Sequence, residues 1–447
     1  MRVGEWQLLA HRVATNAFHF TPGFGAKQTR SIDGNDANDA EQTSQELLIV
    51  PTGAGNRLHQ RLARDRMRWV AALKDTLGTS CAIEKGTVMR RRDILAGAGL
   101  AATGAAASFP SPVIAQGVRQ LKMVTDWPES LPGLQASAVR FAQTVGAASG
   151  GRIKIEVFPA GAFVRPFETF DAVGAGVADM YQTYEGYFEK KSPTLHFFTA
   201  LPFGLTPTEL FAWVRYGGGQ ELWDVLSGQF NVKSLLACST GPQMGGWFAR
   251  EITSQESFKG LRYRMTGPGA EVLRQMGAVV VVVPGGEIVA SLKSGAIDGS
   301  EFAGPWLDMA IGLHEAVGFY YYYPGWHEPG TGIAVGINKG VWESFNASDR
   351  ELIEVVAAAE YARSLAESDI NNARALRRLR DEGKIKIAKF DDPILNTVHR
   401  LSNDVVAEIG SRDELSKKIY ASYLQFRNLI ADWGEISGRY LSSRSPA

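Results

Sequence analysis

Cysteine is almost missing from this chain of 447 residues: there are two, Cys81 and Cys238, and only Cys238 lies beyond Ala115. With one thiol in that part, neither an internal disulfide nor a cysteine-based metal site can form there. Cys238, set in Leu235-Leu236-Ala237-Cys238-Ser239, reads as a small core residue. Excess charge is absent too. Of 47 basic and 47 acidic side chains, 14 and 10 fall at or before Ala115, leaving 33 and 37, a net charge of −4. So mild an acidity argues against nucleic acid as a partner, because phosphate binding needs a concentrated basic face. The usual catalytic signatures are lacking as well: there is no GxSxG, no HExxH and no GxxxxGK. Beyond Ala115 only four histidines occur, at 196, 314, 327 and 399, and they are scattered. Gly267-Pro268-Gly269 is the nearest approach to a dinucleotide fingerprint. It lacks the third glycine and has Pro268 where flexibility is wanted, so it reads as a strand-to-helix turn whose helix N-terminus can favour an anion.

What is present begins at Met89. Arg90-Arg91-Arg92-Asp93 leads into a Gly- and Ala-rich stretch over 95–108, followed by Pro110-Ser111-Pro112-Val113-Ile114-Ala115-Gln116. Basic, apolar and small-residue regions in that order make an export signal with a cut after Ala115, and the paired arginines resemble a twin-arginine signal. The apolar part is too short and too rich in glycine to span a bilayer, and no stop-transfer segment follows. A buried Gly/Ala helix is the plainer alternative. The native start is expected at Met89, with residues 1–88 a mis-assigned or unstructured extension. Four segments result: 1–88; the signal, 89–115; a binding region of two interlaced lobes, 116–412; and a C-terminal helix, 413–447. About 330 residues after the signal exceed what one core usually supports, which favours two lobes.

Strand-like and helix-like runs alternate through the mature part, the pattern of an α/β protein with mainly parallel sheets. Strands are expected at 121–125, 152–158, from 178, at 235–238, 247–249 and 261–265, and after 296. Helices are expected at 134–148, 167–176, 269–276 and 286–292. The unbroken apolar run 278–283 suits a strand buried on both faces. Ser348-Asp349-Arg350-Glu351 has the form of a capping box opening a helix that can run through 380. From 413 to 439 a last helix puts Leu415, Ile419, Tyr423, Phe426, Ile430 and Trp433 on one face. That stripe covers either the protein's own body or another subunit.

One constellation carries chemistry. Arg262 and Arg264 are two apart on a strand and face the same way. Arg264 ends that strand beside the glycine turn, where open α/β sheets present ligands. Its planar fork can hold a carboxylate through two hydrogen bonds, though a surface salt bridge is the commoner use of such an arginine. Glu301, after Ile297-Asp298-Gly299-Ser300, either binds a metal ion or is solvated. Gln243 offers a neutral oxygen in the loop Gly241-Pro242-Gln243-Met244-Gly245-Gly246-Trp247. Tyr320-Tyr321-Tyr322-Tyr323-Pro324-Gly325-Trp326 supplies an aromatic wall or a core strand.

In these phrases, with Phe258-Lys259-Gly260-Leu261-Arg262-Tyr263-Arg264, Gly269-Ala270-Glu271-Val272-Leu273 and Gly295-Ala296-Ile297-Asp298-Gly299-Ser300-Glu301, the sequence resembles the periplasmic solute receptors of tripartite ATP-independent periplasmic (TRAP) transporters. Within them it is similar to the subgroup that binds 2-oxo acids such as pyruvate. The likeness runs over nearly all of residues 118–447. It implies a two-lobed α/β receptor with its ligand in the cleft, no catalysis, and delivery to one small and one large membrane subunit. It also implies that Arg264 pairs with the substrate carboxylate. Gln243, Glu301 and the backbone of Phe302 hold a cation, sodium or alternatively calcium. Tyr187 and Phe302 complete the expected substrate contacts. The subgroup usually has Trp where Phe302 stands, and an aromatic where His327 stands, so the cation site is better preserved than the substrate preference. Lactate or another hydroxy or branched acid remains open as the ligand, as does a periplasmic enzyme on a related scaffold. A homodimer formed through the last helix is also expected.

Overall fold

A computed structural model describes residues 117–316 and 320–442, with side chains through 438; the expected extension 1–88 and signal 89–115 lie outside the described residues. Eleven strands occur among these, in chain order β1 (Arg119–Thr125), β2 (Ile153–Phe158), β3 (Met180–Thr183), β4 (Val232–Cys238), β5 (Gly246–Phe248), β6 (Arg262–Arg264), β7 (Val279–Val281), β8 (Gly299–Ser300), β9 (Tyr320–Tyr323), β10 (Ile333–Asn338) and β11 (Lys386–Lys389). They build two sheets, ordered β2-β1-β3-β10-β4 and β11-β9-β5-β8-β6-β7. The chain therefore lays down four strands of the first lobe, moves to the second for β5 to β9, returns for β10 and leaves again for β11.

That path corrects the expectation of mainly parallel sheets. β1 is parallel to β2 and β3, but β10 comes back antiparallel to both β3 and β4. In the second sheet β6 is parallel to β7 and β8, and β11 to β9, while β5 runs antiparallel to β8 and β9. β10 and β5, each reached from the other lobe, run against their neighbours, and no local pattern of residues records this. A second correction concerns 278–283. β7 is an edge strand with Val279 55% exposed, and Val282, just after it, is 45% exposed. An apolar run therefore does not by itself mean burial on both faces.

Helix Leu134–Ala148 has the bounds read from its pattern; Leu134, Ala138, Phe141, Ala142 and Val145, at steps of three and four, form its buried face. Phe141 and Val145 join Met123, Met180 and Val335 of the first sheet and Ile353 and Val356 of the long helix in one core. Another core is shared between lobes: Trp127, Leu134, Tyr184 and Ile333 from the first meet Trp247, Ile288, Phe302 and Tyr321 from the second.

The long helix runs Ala347–Glu382, about 54 Å at 1.5 Å per residue. Its cap is Asn346, whose side chain accepts from the Asp349 amide at 2.8 Å, so the start lies two residues before the expected Ser348. The helix ends where Gly383 takes φ 64°. Ser364 Oγ accepts from Ser239 N at 3.0 Å and Ser368 Oγ donates to Ser239 O at 3.2 Å, which fastens it to the first lobe. Asn372 Oδ1 accepts from Trp306 N at 3.0 Å and fastens it to the second.

The last helix, Glu414–Ser442, begins by covering the protein's own body. Ile419 and Tyr423 are buried, Tyr423 packs edge-on to Phe197 and Trp213, and its hydroxyl accepts from Leu205 N at 2.9 Å. Beyond Phe426 the stripe turns outward: Leu429, Trp433 and Ile436 are 75%, 63% and 68% exposed. Among the described residues no helix is long and apolar enough to cross a membrane.

Candidate functional site

Strand register assembles the first half of the site. β6 lies between β7 and β8, with Arg264 opposite Ser300, so Glu301 leaves its sheet directly beside Arg264. Arg262, at the other end of the same face, is half exposed and paired with Asp298, which is the plainer role weighed for such an arginine. Arg264 is 1% exposed. Its Nη1 donates to Glu301 Oε1 at 2.5 Å and to the Glu301 carbonyl at 2.9 Å, and its Nε to the Val283 carbonyl at 3.3 Å. The amide of Thr266 donates to Glu301 Oε1 at 3.3 Å. Burial pushes the Glu301 carboxyl up, but the Arg264 guanidinium and then His327 outweigh it and hold Glu301 below the usual carboxylate range. Burial likewise opposes the charge on Arg264, and Glu301 more than offsets that.

The loop that carries the chain between lobes supplies the second half. Gln243 Nε2 donates to Glu328 Oε2 at 2.5 Å and to Thr331 Oγ1 at 3.1 Å. Its Oε1 is buried with no hydrogen-bond partner. Gly325 packs so tightly on the Gln243 carbonyl that a side chain there would collide with it. Glu328 also accepts from Tyr184 Oη at 2.8 Å. Burial, and next the charge of Glu301, push its carboxyl up to about 7. His327 Nε2 lies 3.7 Å from Glu301 Oε2, and neither of its ring nitrogens has a hydrogen-bond partner.

All five of the expected contacts, Tyr187, Gln243, Arg264, Glu301 and Phe302, line one cavity of about 20 Å³ between the lobes. Sequence reasoning missed Glu328, which lines it too. Glu328 lies in an irregular stretch with no periodicity, and the one signal was an acid standing among Gly, Pro and Trp. Its apolar lining is made by Trp127, Leu134, Tyr187, Phe302 and Ile333. The tyrosine run is not part of the site. Tyr321 and Tyr322 are core residues of β9, with hydroxyls on Asp308 and on the Ile252 backbone. A larger cavity of about 440 Å³ touches His196, Gly267 and Arg412 and holds none of the five. Cys238 is buried, which pushes its thiol up to about 11 and leaves it inert.

Gln243 Oε1, the Glu301 and Glu328 carboxylates and main-chain carbonyls form an oxygen-only donor set, suited to a hard cation rather than to zinc. Among the described residues no cluster of three or more His, Cys, Asp or Glu stands ready for a metal. A cation here therefore depends on the amide and main-chain oxygens. The unpartnered Gln243 oxygen fits that role, since buried acceptors are rarely left unpaired.

Two lobes, with a narrow cavity between them lined by buried groups of both charges, have the architecture of a solute-binding receptor. The chain belongs to the DctP family of bacterial extracellular solute-binding proteins, family 7, which it matches over residues 123–413. That family places it outside the cytoplasm, as a receptor and not an enzyme. It is 37% identical over 316 residues to a monocarboxylate 2-oxoacid-binding periplasmic protein of a Nostoc species, covering 71% of this chain and 86% of that protein. A TRAP transporter solute-binding protein of Bordetella bronchiseptica is 31% identical with a TM-score of 0.71, covering 73% and 96% of the two chains; it was solved as a mixed-occupancy dimer with copurified calcium and picolinate. One from Pseudoalteromonas atlantica, with bound sodium and pyruvate, is 30% identical with a TM-score of 0.70, covering 73% and 99%.

Proposed function

We propose that the protein is a periplasmic TRAP receptor for a small 2-oxo monocarboxylate of the pyruvate type, held jointly by Arg264 and a cation. The observation that carries this reading is the unpartnered, buried Gln243 oxygen beside a carboxylate pair that Arg264 only partly balances. A small oxo acid has little apolar area, so affinity has to come from its carboxylate, at about 1.5–3 kcal/mol per charge-assisted bond. Pyruvate and picolinate, bound by the two solved relatives, share one chelating pattern: a carboxylate oxygen with a second donor atom on the adjacent carbon. Gln243, Glu301, Glu328 and the Phe302 carbonyl would hold the cation, which lets an anionic ligand settle beside carboxylates without net repulsion. Delivery to a small and a large membrane subunit and export by a twin-arginine route complete the reading.

Calorimetry of the chain from Gln116, titrated with pyruvate in sodium, calcium or neither, tests it. Binding that needs a cation is the expected result. Binding only of lactate or branched acids would move the assignment to those ligands, and no monocarboxylate binding at all would overturn it. We also propose a homodimer through Leu429, Trp433 and Ile436. Light scattering should show Trp433→Ser with Ile436→Ser as a monomer; a parent chain that is already monomeric rejects the dimer. Cutting before Asp413 is a poor test, because it strips Ile419 and Tyr423 from the core.

A further inference from the structure

The cavity contains a second orphaned atom, and it belongs to the first lobe. Trp127 is 3% exposed, lines the gap, and its indole Nε1 is buried without a hydrogen-bond partner. An indole N–H can only donate, so its missing partner has to be an acceptor.

Three features hold this donor in place. The preceding residue, Asp126, accepts from Phe167 N at 2.7 Å, from Thr169 Oγ1 at 2.9 Å and from Thr183 Oγ1, which fixes the turn at the end of β1. The carbonyl of Trp127 itself accepts from Ala160 N at 2.9 Å. Its ring meets Tyr187 edge-on, with centroids 6.3 Å apart. Phe167, whose ring lies 4.6 Å from that of Tyr187, takes φ 66°, a conformation rare for a bulky side chain. A strained residue, a carboxylate holding three hydrogen bonds and an aromatic contact together frame one unpaired N–H, the pattern of a preorganised binding group.

We infer that the Trp127 indole N–H donates to the oxygen on C2 of the bound acid, and so makes this first-lobe tryptophan the residue that reads the 2-position. The inference rests on the proposed function and adds to it. In that arrangement Arg264 and the cation occupy both carboxylate oxygens. A 2-oxo oxygen that also met the cation would use one lone pair there and keep the other for a donor such as Trp127. An N–H there accepts a 2-oxo or 2-hydroxy acid. It rejects a 2-ammonium acid such as alanine, because donor would meet donor beside a metal ion. It also ties lobe closure to the ligand, since Trp127 belongs to one lobe and Arg264 to the other.

The experiment uses indole-¹⁵N-labelled protein from Gln116 onward, with the Trp127 resonance identified as the one missing from Trp127→Phe. Saturating pyruvate and sodium should move that resonance downfield and slow its exchange with solvent. In calorimetry, Trp127→Phe should bind pyruvate about tenfold more weakly. Propionate, which lacks the 2-oxygen, should bind parent and variant alike. If pyruvate binds the parent and the resonance stays where it was, the inference is wrong and the receptor reading stands. Equal losses for pyruvate and propionate would also overturn it, because they place the contact on the carboxylate. If pyruvate does not bind the parent at all, it is the proposed function that fails.

Discussion

Arg264→Lys separates charge from geometry. Arg264 makes three hydrogen bonds within its own lobe, to Glu301 Oε1, the Glu301 carbonyl and the Val283 carbonyl. A lysine keeps the positive charge beside Glu301, but a single ammonium at the end of a thinner stem cannot span those acceptors and a ligand carboxylate together. Losing Nη2, the one guanidinium nitrogen these bonds leave free for the ligand, removes one charge-assisted bond, about 1.5–3 kcal/mol, which is roughly a 10- to 150-fold weaker Kd. Stability should fall by a similar amount, about 1–3 kcal/mol, as the buried Val283 carbonyl loses its donor. Calorimetry with pyruvate at fixed sodium reads the first quantity and urea unfolding the second. Arg262→Lys is the control: that side chain is half exposed and pairs with Asp298, so its change should stay within about 0.5 kcal/mol in either assay. A folded Arg264→Lys protein that binds pyruvate within about twofold of the parent refutes the reasoning, since less than 0.5 kcal/mol is then left for the fork.

Glu301→Gln removes an anionic oxygen and should weaken sodium and pyruvate binding together. By linkage, the factor by which sodium tightens pyruvate equals the factor by which pyruvate tightens sodium, and titrations run in both orders check that equality. Gly325→Ala should push the Gln243 loop aside and blunt the cation dependence of binding more than it lowers the melting temperature; an unchanged cation dependence counts against the Gln243 role. Asp308 accepts from Trp247 Nε1, Tyr321 Oη and Ala303 N, yet burial raises its carboxyl to about 7. The folded state therefore holds a proton that the unfolded chain releases near 3.8, so this group's contribution to stability is full below that value. It is lost as pH rises toward 7, by up to about 4 kcal/mol. Asp308→Asn should be less stable at every pH, because its amide nitrogen meets an N–H whichever way it turns, but should lack that slope in urea unfolding between pH 4 and pH 7, about the window the two values bracket.

What the sequence made legible was whatever depends on near neighbours. Helix Leu134–Ala148 was readable from its apolar period, and Arg264 from its place at the end of a strand before a glycine turn. Asn346 was overlooked because Ser348 and Glu351 offer a better-known pattern, although a cap needs only one oxygen at the right φ and ψ. The valines of β7 looked buried because β-branched runs usually are; only pairing across the sheet decides which strand is left at the edge. Glu328 was invisible for a related reason. It touches Gln243, 85 residues earlier in the chain, and Tyr184, 144 earlier, and neither spacing leaves a local trace.

The long helix has a mechanical consequence. Ser364 and Ser368 tie it to the first lobe and Asn372 ties it to the second, so the nearest fastenings to the two lobes stand one turn apart, about 6 Å along its axis. The helix behaves as an axle with two wheels set side by side. Rotation of one lobe about the axle leaves its backbone ladder intact, whereas drawing the lobes apart along it would tear that ladder. A twist is thereby the opening motion that costs the helix least, and a ligand that bridged the lobes would oppose it. Amide exchange over residues 364–372 should accordingly slow when the cleft is filled, in a segment that does not touch the ligand.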